Sequence, residues 1–369
     1  MARVAVLHNT LDFRGGADAV CLHVCEALQA AHDVTLVTFS RSSIADLDRL
    51  FDTEVYVAVH RPREAVVSRA LDALPEQFGP QLPPRSVLLR RAFARRADDF
   101  DIAVSTANEF ALPLPSVQYV HFPQFNRRHA AGETAGRLDP VWSRLSGLGD
   151  RTLPADARLL ANSAWTADAV ETIYGRRPTV CHPPVDPPPD PRPWAEREAG
   201  VVFVGRLAPD KRPLRAVRIV DGVRARGHDL HLHLVGSSSA RYADYARRVA
   251  SAAADRDYVH LHRDAPRSRI DRLLATHRYG LNCKPAEHFG MAVAEYVAAG
   301  MVAFAPDSGG QREILGGRAD RLFDTTTDAV ATIAAAVDTD ARPTRPRDRY
   351  ASDRFHAVIR RHVAAVLDE

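Results

Sequence analysis

Short, nearly continuous apolar runs rich in β-branched residues recur along most of the chain, with helical periods between them. Val4–His8, Val34–Phe39, Asp101–Ser105, Val117–Phe122 and Arg158–Asn162 read as strands, and Ala17–Ala30, Val87–Ala97 and Ala164–Tyr174 as the helices between them. A second series follows at Val201–Gly205, His231–Val235, Tyr258–His262, Tyr279–Cys283 and Val302–Ala305, with helices near Leu214–Arg226, Ala240–Ala253, Ser268–Thr276 and Met291–Ala299. A strand apolar on both sides needs cover on both faces, and strands separated by helices pair in parallel. The chain is therefore expected to be α/β, built on two parallel sheets.

Between the two series lies PPVDPPPDPRPWAEREAG, Pro183–Gly200. Proline fixes φ and removes a backbone donor, so this stretch reads as a stiff connection that joins neither sheet. The expected organisation is a first domain over 1–184, a linker over 185–199, a second domain over 200–346 and a C-terminal helix over 347–369. A ligand is expected in a cleft between the two domains, at the carboxyl ends of the strands. Where the last helix, Asp348–Asp368, packs cannot be read from sequence.

A length of 369 residues suits two domains of ~100–200 residues each. The 49 basic and 46 acidic residues leave a net charge of +3, too small an excess for a dedicated nucleic-acid binder. Cys21, Cys25, Cys181 and Cys283 form no CxxC pair, so free thiols in a reducing compartment are expected. The opening MARVAVLHNTLDF meets charge too early for a secretory segment and reads as a strand. The longest uncharged apolar stretches fall well short of the ~20 residues of a transmembrane helix. The expected location is the cytoplasm, with a peripheral contact at the inner membrane face as a further expectation.

The most informative run is Glu287-His-Phe-Gly-Met-Ala-Val-Ala-Glu295, followed by Ala298-Ala-Gly300 and Ser308-Gly-Gly-Gln-Arg-Glu313. A helix begins at Gly290, directly after a strand and a loop. Its first turn leaves backbone N–H groups unpaired and carries roughly half a positive charge, and a glycine there lets an anion approach the backbone. Glu287 at the loop mouth and Glu295 about a turn and a half into the helix are suited to accept hydrogen bonds from sugar or ribose hydroxyls. A second run, Val201-Val-Phe-Val-Gly205-Arg206-Leu-Ala-Pro-Asp-Lys211, ends a buried strand with two cations five residues apart. A guanidinium fork and an ammonium point charge both suit a diphosphate, and the P-loop pattern is absent. Only two of the chain's 49 basic residues are lysines, Lys211 and Lys284.

Two shorter features lie in the first half. Gly15-Gly16 forms a turn into a helix after the first strand, where a ligand can approach the backbone closely. Tyr119-Val-His121-Phe-Pro closes another strand; a lone histidine there is more often structural than catalytic.

These four features together resemble the family-4 retaining glycosyltransferases of the GT-B fold. The segments His121-Phe-Pro and Glu287-His-Phe-Gly are also similar to the GDP-mannose-dependent α-1,2-mannosyltransferases that extend a dolichol-linked oligosaccharide. The resemblance implies two Rossmann-like domains facing a cleft, and a hexose transferred from a nucleoside diphosphate sugar to a glycan or lipid-linked acceptor. By position it implies that Arg206 and Lys211 hold the diphosphate with the amides around Phe289, Gly290 and Met291. Glu295 then binds the ribose and Glu287 the donor-sugar hydroxyls. His121 lies near sugar and acceptor, and Gly15 and Gly16 complete the first-domain side. GDP-mannose is the expected donor, a UDP-sugar the alternative. No cofactor and no metal cluster of the DxD sort is expected. A GT-B epimerase acting on the nucleotide sugar and a non-catalytic sugar-nucleotide-binding subunit are the competing readings. Gln311-Arg312 departs from the family pattern. Lys284 has no role in it: a solvated loop lysine is the plain reading, a phosphate or acceptor contact the alternative.

Two further patterns are read without a family. The pairs His231/His233 and His260/His262 each point to one face of a strand, but no third ligand at useful spacing accompanies them, so no metal site is expected. Arg85–Arg96 (RSVLLRRAFARR) is basic and apolar like a membrane-surface helix, yet its arginines do not gather on one side at helical spacing. Lipid-linked acceptors are what the resemblance adds in favour of surface contact.

Overall fold

Apolar strands shielded on both faces dictate a layered arrangement. The computed structural model describes residues 1–71, 81–129, 136–238, 242–344 and 346–368, and among these the strands form two parallel sheets. The chain divides into two compact units, one comprising Met1–Pro184 and the C-terminal stretch from Ser352, the other Val185–Ala351.

The first sheet has seven strands in the order β3-β2-β1-β4-β5-β6-β7. They are β1 (Arg3–His8), β2 (Asp33–Thr38), β3 (Ala58–His60), β4 (Ile102–Ser105), β5 (Ser116–Val120), β6 (Ala157–Ala161) and β7 (Thr179–Val180). Helices α1 (Gly16–Gln29), α2 (Ile44–Phe51), α3 (Ala65–Ala70), α4 (Leu82–Ala94), α5 (Asp139–Leu145) and α6 (Ala164–Tyr174) connect them. The second sheet has six strands, β10-β9-β8-β11-β12-β13: β8 (Glu198–Val204), β9 (His231–Gly236), β10 (Val259–Arg263), β11 (His277–Leu281), β12 (Val302–Pro306) and β13 (Leu322–Phe323). Its helices are α7 (Pro213–Arg224), α8 (Ala243–Ala254), α9 (Arg267–Thr276), α10 (Met291–Ala298), α11 (Gln311–Ile314) and α12 (Thr326–Asp338). The start of the helix expected from Ala240 lies outside the described residues.

In each sheet the strand order reverses once, between β1 and β4 and between β8 and β11. In open α/β sheets such reversals are where loops splay apart at the carboxyl ends of the strands and ligands bind. The residues that follow these four strands therefore occupy the positions from which such sheets hold a ligand.

One expectation needs correction, and one element left open by the sequence finds its place. The proline-rich stretch is not a connector standing outside both sheets. It packs on the second unit: Arg197 sends its guanidinium to the carbonyls of Ala299 and Gly300 at 2.7 and 3.1 Å, Trp194 stands edge-on to Tyr279, and β8 starts at Glu198. The C-terminal helix, α13 (Ser352–Leu367), belongs to the first unit. Its apolar stripe of Phe355, Ile359, Val363 and Val366 joins the core made by α1, β1 and β4, the i, i+4 spacing that places side chains on one helical face.

The basic stretch at α4 is largely committed within the fold. Arg85 is buried and donates to Ser68 Oγ at 2.7 Å. Arg90 donates to the Ala111 carbonyl at 2.6 Å, and Arg95 and Arg96 pair with Glu64 and Asp99. Among the described residues no helix is long and apolar enough to cross a membrane. All four cysteines are buried free thiols.

One carboxyl group is embedded in the first unit. Glu109 Oε1 accepts from the backbone N–H of Gln124 and Phe125 at 2.9 and 3.1 Å and from the Tyr174 hydroxyl at 3.0 Å. Burial, only partly offset by these donors, pushes its pKa up to about 7. The folded value lies above the unfolded one, so the stability contributed is complete below about pH 4.3 and is lost as pH rises through about 7. Glu109→Gln should abolish that component: in urea titrations at pH 5 and pH 8, the wild type loses more stability with pH than the variant. Ile359→Ala should destabilise the first unit by about 2–5 kcal/mol, the usual cost of emptying a closed core position, read from the same titrations.

Candidate active site

The second unit gathers its charged groups at the carboxyl ends of β8 and β11. After β8 the chain turns through Gly205 and Arg206, and α7 starts with Pro213. After β11 it runs through Asn282, Cys283 and Lys284 to Glu287. The two lysines of the chain converge on that one carboxylate. Lys211 Nζ pairs with Glu287 Oε1, and Lys284 Nζ lies 3.2 Å from Oε2. Lys284 also reaches Asp210 Oδ2 at 4.0 Å, and Asp210 holds Arg206 at 3.1 Å. A continuous chain of contacts, Arg206–Asp210–Lys284–Glu287–Lys211, results. Burial opposes the charge on Glu287, but the two ammonium groups outweigh it and hold the carboxyl below its usual range. Lys284 is thus no solvated loop lysine. Arg206, by contrast, is more than half exposed, so its guanidinium can reorient at little cost.

Backbone contacts position Glu287 as well. Gly309 stands in the left-handed region at φ 75°, and a Cβ there would lie 2.3 Å from the Glu287 carbonyl oxygen; only glycine permits that approach. Gly310 N–H donates to the same oxygen at 2.7 Å. Gln311, fully buried, donates from Nε2 to the carbonyls of Lys284, Pro306 and Ser308 at 3.0–3.1 Å and accepts from Asn282 at 2.7 Å. Gln311 is therefore the peg that joins the β11 and β12 loops.

Helix α10 begins immediately afterwards, from Gly290 at φ 109°, with no side-chain cap. Its first-turn amides and partial positive charge face the same end of the sheet. The Phe289 side chain is buried and stacks edge-on to Tyr350 at 5.4 Å, so Phe289 can serve a ligand only through its backbone. Met291 is half-buried. Tyr296, one residue beyond Glu295, accepts from Val204 N–H at 2.7 Å and so ties α10 to the end of β8. Glu295 does not join the Glu287 chain. It is held by Arg267 of α9, which also binds Asp271 at 2.9 Å; the Glu295 charge, against burial, raises the Arg267 pKa.

In the first unit, the two residues read separately from sequence are linked by groups that sequence reading missed. The Thr106 carbonyl, just beyond β4, receives both His121 Nε2 and His8 Nδ1 at 3.2 Å. A carbonyl only accepts, so both nitrogens donate. His8 Nε2 faces Asp18 Oδ1 at 3.1 Å, and the other oxygen of Asp18 accepts from Gly15 N–H at 3.0 Å. His8 Nδ1 also meets the Thr106 hydroxyl at 2.9 Å. Burial disfavours the imidazolium, yet Cys21 and Asp18 raise its pKa to about 9. Asn108 fixes His121 from the other side, its Oδ1 accepting the His121 N–H at 2.7 Å. Gly15 is extended, with nothing within 4 Å of where a Cβ would stand. The packing therefore does not require glycine there, and the space before it is open; Gly16 is the first residue of α1.

Comparison with known proteins identifies the family and the fold. The family model "Glycosyltransferase Family 4" matches residues 14–188, and "Glycosyl transferases group 1" matches 189–347. Relatives include the GDP-Man:Man(3)GlcNAc(2)-PP-Dol alpha-1,2-mannosyltransferases of Candida glabrata, 26% identical over 41% of this chain, and of Neurospora crassa, 27% identical over 42%. Each match spans 33% of the relative's length. Among solved structures, Anabaena Alr3699/HepE in complex with UDP and glucose superposes with a TM-score of 0.69 at 15% identity, covering 99% of this chain and all of the other. WaaG, a glycosyltransferase involved in lipopolysaccharide biosynthesis, gives 0.66 at 12% identity over 97% and 95%. Two adjoining family models that run from residue 14 to residue 347 and a matching two-sheet fold lead to one conclusion: the chain belongs to the family-4 glycosyltransferases of the GT-B fold.

Proposed function

We propose that the protein is a retaining glycosyltransferase that moves a mannosyl group from GDP-mannose to a hydroxyl of a lipid-linked or surface glycan. The observation that carries this reading is the Arg206–Asp210–Lys284–Glu287–Lys211 chain beside the uncapped start of α10. Three cations against two carboxylates leave a net positive charge next to a helix N-terminus, the environment a diphosphate requires. The mannosyl donor rests on the names of the sequence relatives.

In this mechanism Arg206, Lys211 and the amides at Phe289, Gly290 and Met291 hold the diphosphate. Glu287 accepts hydrogen bonds from the sugar hydroxyls, and Glu295 from the ribose. His121 serves the sugar and acceptor, and the Gly15–Gly16 turn borders the ligand. The sugar C1–O bond to phosphate breaks while C1 bonds to the acceptor oxygen on the same face. The acceptor proton passes to a phosphate oxygen of the leaving group. Negative charge builds on that group, so positioning and electrostatic stabilisation supply the acceleration. Lys284 acts separately from these groups. When Lys211 turns to the diphosphate, Lys284 keeps Glu287 charged and in place.

Arg206→Ala and Lys211→Ala should each cut transfer by ~10²–10³, the usual loss for one preorganised donor, with melting temperatures close to wild type. Near-normal turnover in both would defeat the assignment. Lys284→Met should lower kcat/KM about 10- to 100-fold, equivalent to the ~1.5–3 kcal/mol of a hydrogen bond to a charged group. The donor is tested by thermal shift against a panel of nucleotide sugars, since a ligand that binds only the native state raises its melting temperature. GDP-mannose should give the largest rise; a larger rise with a UDP-sugar rejects the mannosyl assignment. Product NMR showing an inverted anomeric centre would reject retention, and an epimerised donor formed without acceptor would reject transfer.

A further inference from the structure

At the amino ends of β8, β9 and β11, the sheet edge opposite Arg206 and Lys284, lies a second cluster of reactive side chains. His231 and His233 share one face of β9. Register sets Gly200 of β8 beside His231, and Glu198 beside His277 of β11. β8 runs between β9 and β11, so His231 and His277 must reach across it to meet. They meet over Gly200, where a Cβ would lie 2.2 Å from His231 Nε2 and 2.7 Å from the His277 ring.

The two Nε2 atoms are 3.1 Å apart. Glu198 Oε2 completes a triangle, 3.7 Å from His231 Nε2 and 3.6 Å from His277 Nε2. Donors placed tetrahedrally about an ion at roughly 2.1 Å are about 3.4 Å apart, so these three atoms already approximate one tetrahedral face. A nitrogen of His233 lies within 4.8 Å of both other histidine donors, so the three histidines form the mutually close set and Glu198 borders it at His231 and His277. The lone pairs are oriented as well. His277 Nδ1 faces the Leu273 carbonyl at 2.9 Å, which obliges Nδ1 to donate and turns the Nε2 lone pair towards His231, the arrangement that second-shell carbonyls impose on metal-bound histidine. His233 Nδ1 is held by His262 at 2.8 Å. His277 and His233 are both buried, and an open cavity of about 390 Å³ bordered by Glu198, His231, His233 and His260 offers an entry path.

We propose that Glu198, His231, His233 and His277 form a binding site for one divalent transition-metal ion of the zinc class. Imidazole-rich donor sets suit zinc, copper and nickel, whereas magnesium and calcium need oxygen. The third histidine hidden from the sequence is His277, from a strand two positions away in the sheet. The site shares strands with the charged chain at the other edge but no side chain, so the ion is a cross-link of β8, β9 and β11.

The test uses the full chain without an affinity tag, stripped with chelator and titrated with Zn²⁺. Expected results are one zinc per chain by elemental analysis, a raised melting temperature, and, with Co²⁺, the intense visible absorption of a tetrahedral site. His231→Asn and Glu198→Gln alter partly exposed ligands and are chosen because buried His277 variants risk misfolding. Each should weaken binding by more than the ~10–100-fold typical of second-shell changes. His356→Gln, in the other group of possible ligands at His23, Glu26 and His356, should bind as wild type. Substoichiometric zinc in the wild type overturns the proposal. So does undiminished binding by folded His231→Asn and Glu198→Gln, or loss of binding in His356→Gln.

Discussion

The charged cluster of the second unit turns on keeping Glu287 ionised where water barely reaches it. A nearly buried carboxylate is costly unless paired, and the cost falls hardest when one partner of such a pair is removed. Two ammonium groups share its neutralisation, Lys211 from the β8 loop and Lys284 from Glu287's own loop. With two partners, one can leave for another anion without stranding the carboxylate. That the chain's only two lysines meet here, among 49 basic residues, fits this demand. An ammonium is a compact point charge that two oxygens can share from opposite sides, whereas a guanidinium imposes a fixed fork.

Everything else in the site serves to hold that loop. Gly309 and Gly310 press the β12 loop against the backbone of residues 287–289, and Gln311 fastens the β11 and β12 loops together. Tyr296 joins the end of β8 to α10. The pegs are buried and polar, and all their partners are backbone groups or one another. The loops at the reversal between β8 and β11 are thereby tied to one another and to α10, while Arg206 stays exposed and paired only at the surface with Asp210. A held carboxylate and an exposed guanidinium thus stand at the same end of the sheet.

What could be read from the sequence was whatever is local. The long apolar strands, the loop from Glu287 to Gly290 and the Gly205–Lys211 turn each lie within a dozen residues, and their chemistry follows from residue type and spacing. The edge strands β3, β7 and β13, of two or three residues, are too short for periodicity to reveal. Helix α12 does carry a legible signal, the capping pair Thr325 and Asp328 before an apolar run. Asp210, Arg267 and Gln311 are polar residues of ordinary appearance whose roles arise only from contacts across the fold. The same holds for His8, Asp18 and Thr106, which join Gly15 to His121 across strands nearly a hundred residues apart. The basic stretch at Arg85–Arg96 is divided in a way that spacing does not reveal: Arg85 and Arg90 donate within the fold, whereas the pairs of Arg95 and Arg96 lie at the surface.

The histidine cluster shows why spacing alone fails for ligand sets in a parallel sheet. A strand displays i, i+2 and i+4 on one face, and here β9 supplies only the pair His231 and His233. The remaining donors come from neighbouring strands, whose register is set by packing and whose numbering is distant. In this sheet the decisive residue is one with no side chain at all. Gly200 sits between two histidines that belong to strands it separates, and any larger residue would hold them apart. Its position opposite His231, and that of Glu198 opposite His277, follow from the start of β8 three residues before the apolar run that marks the strand in sequence. The end of the proline-rich stretch, which looked like a mere connection, is therefore what brings the carboxylate and the gap to the histidines.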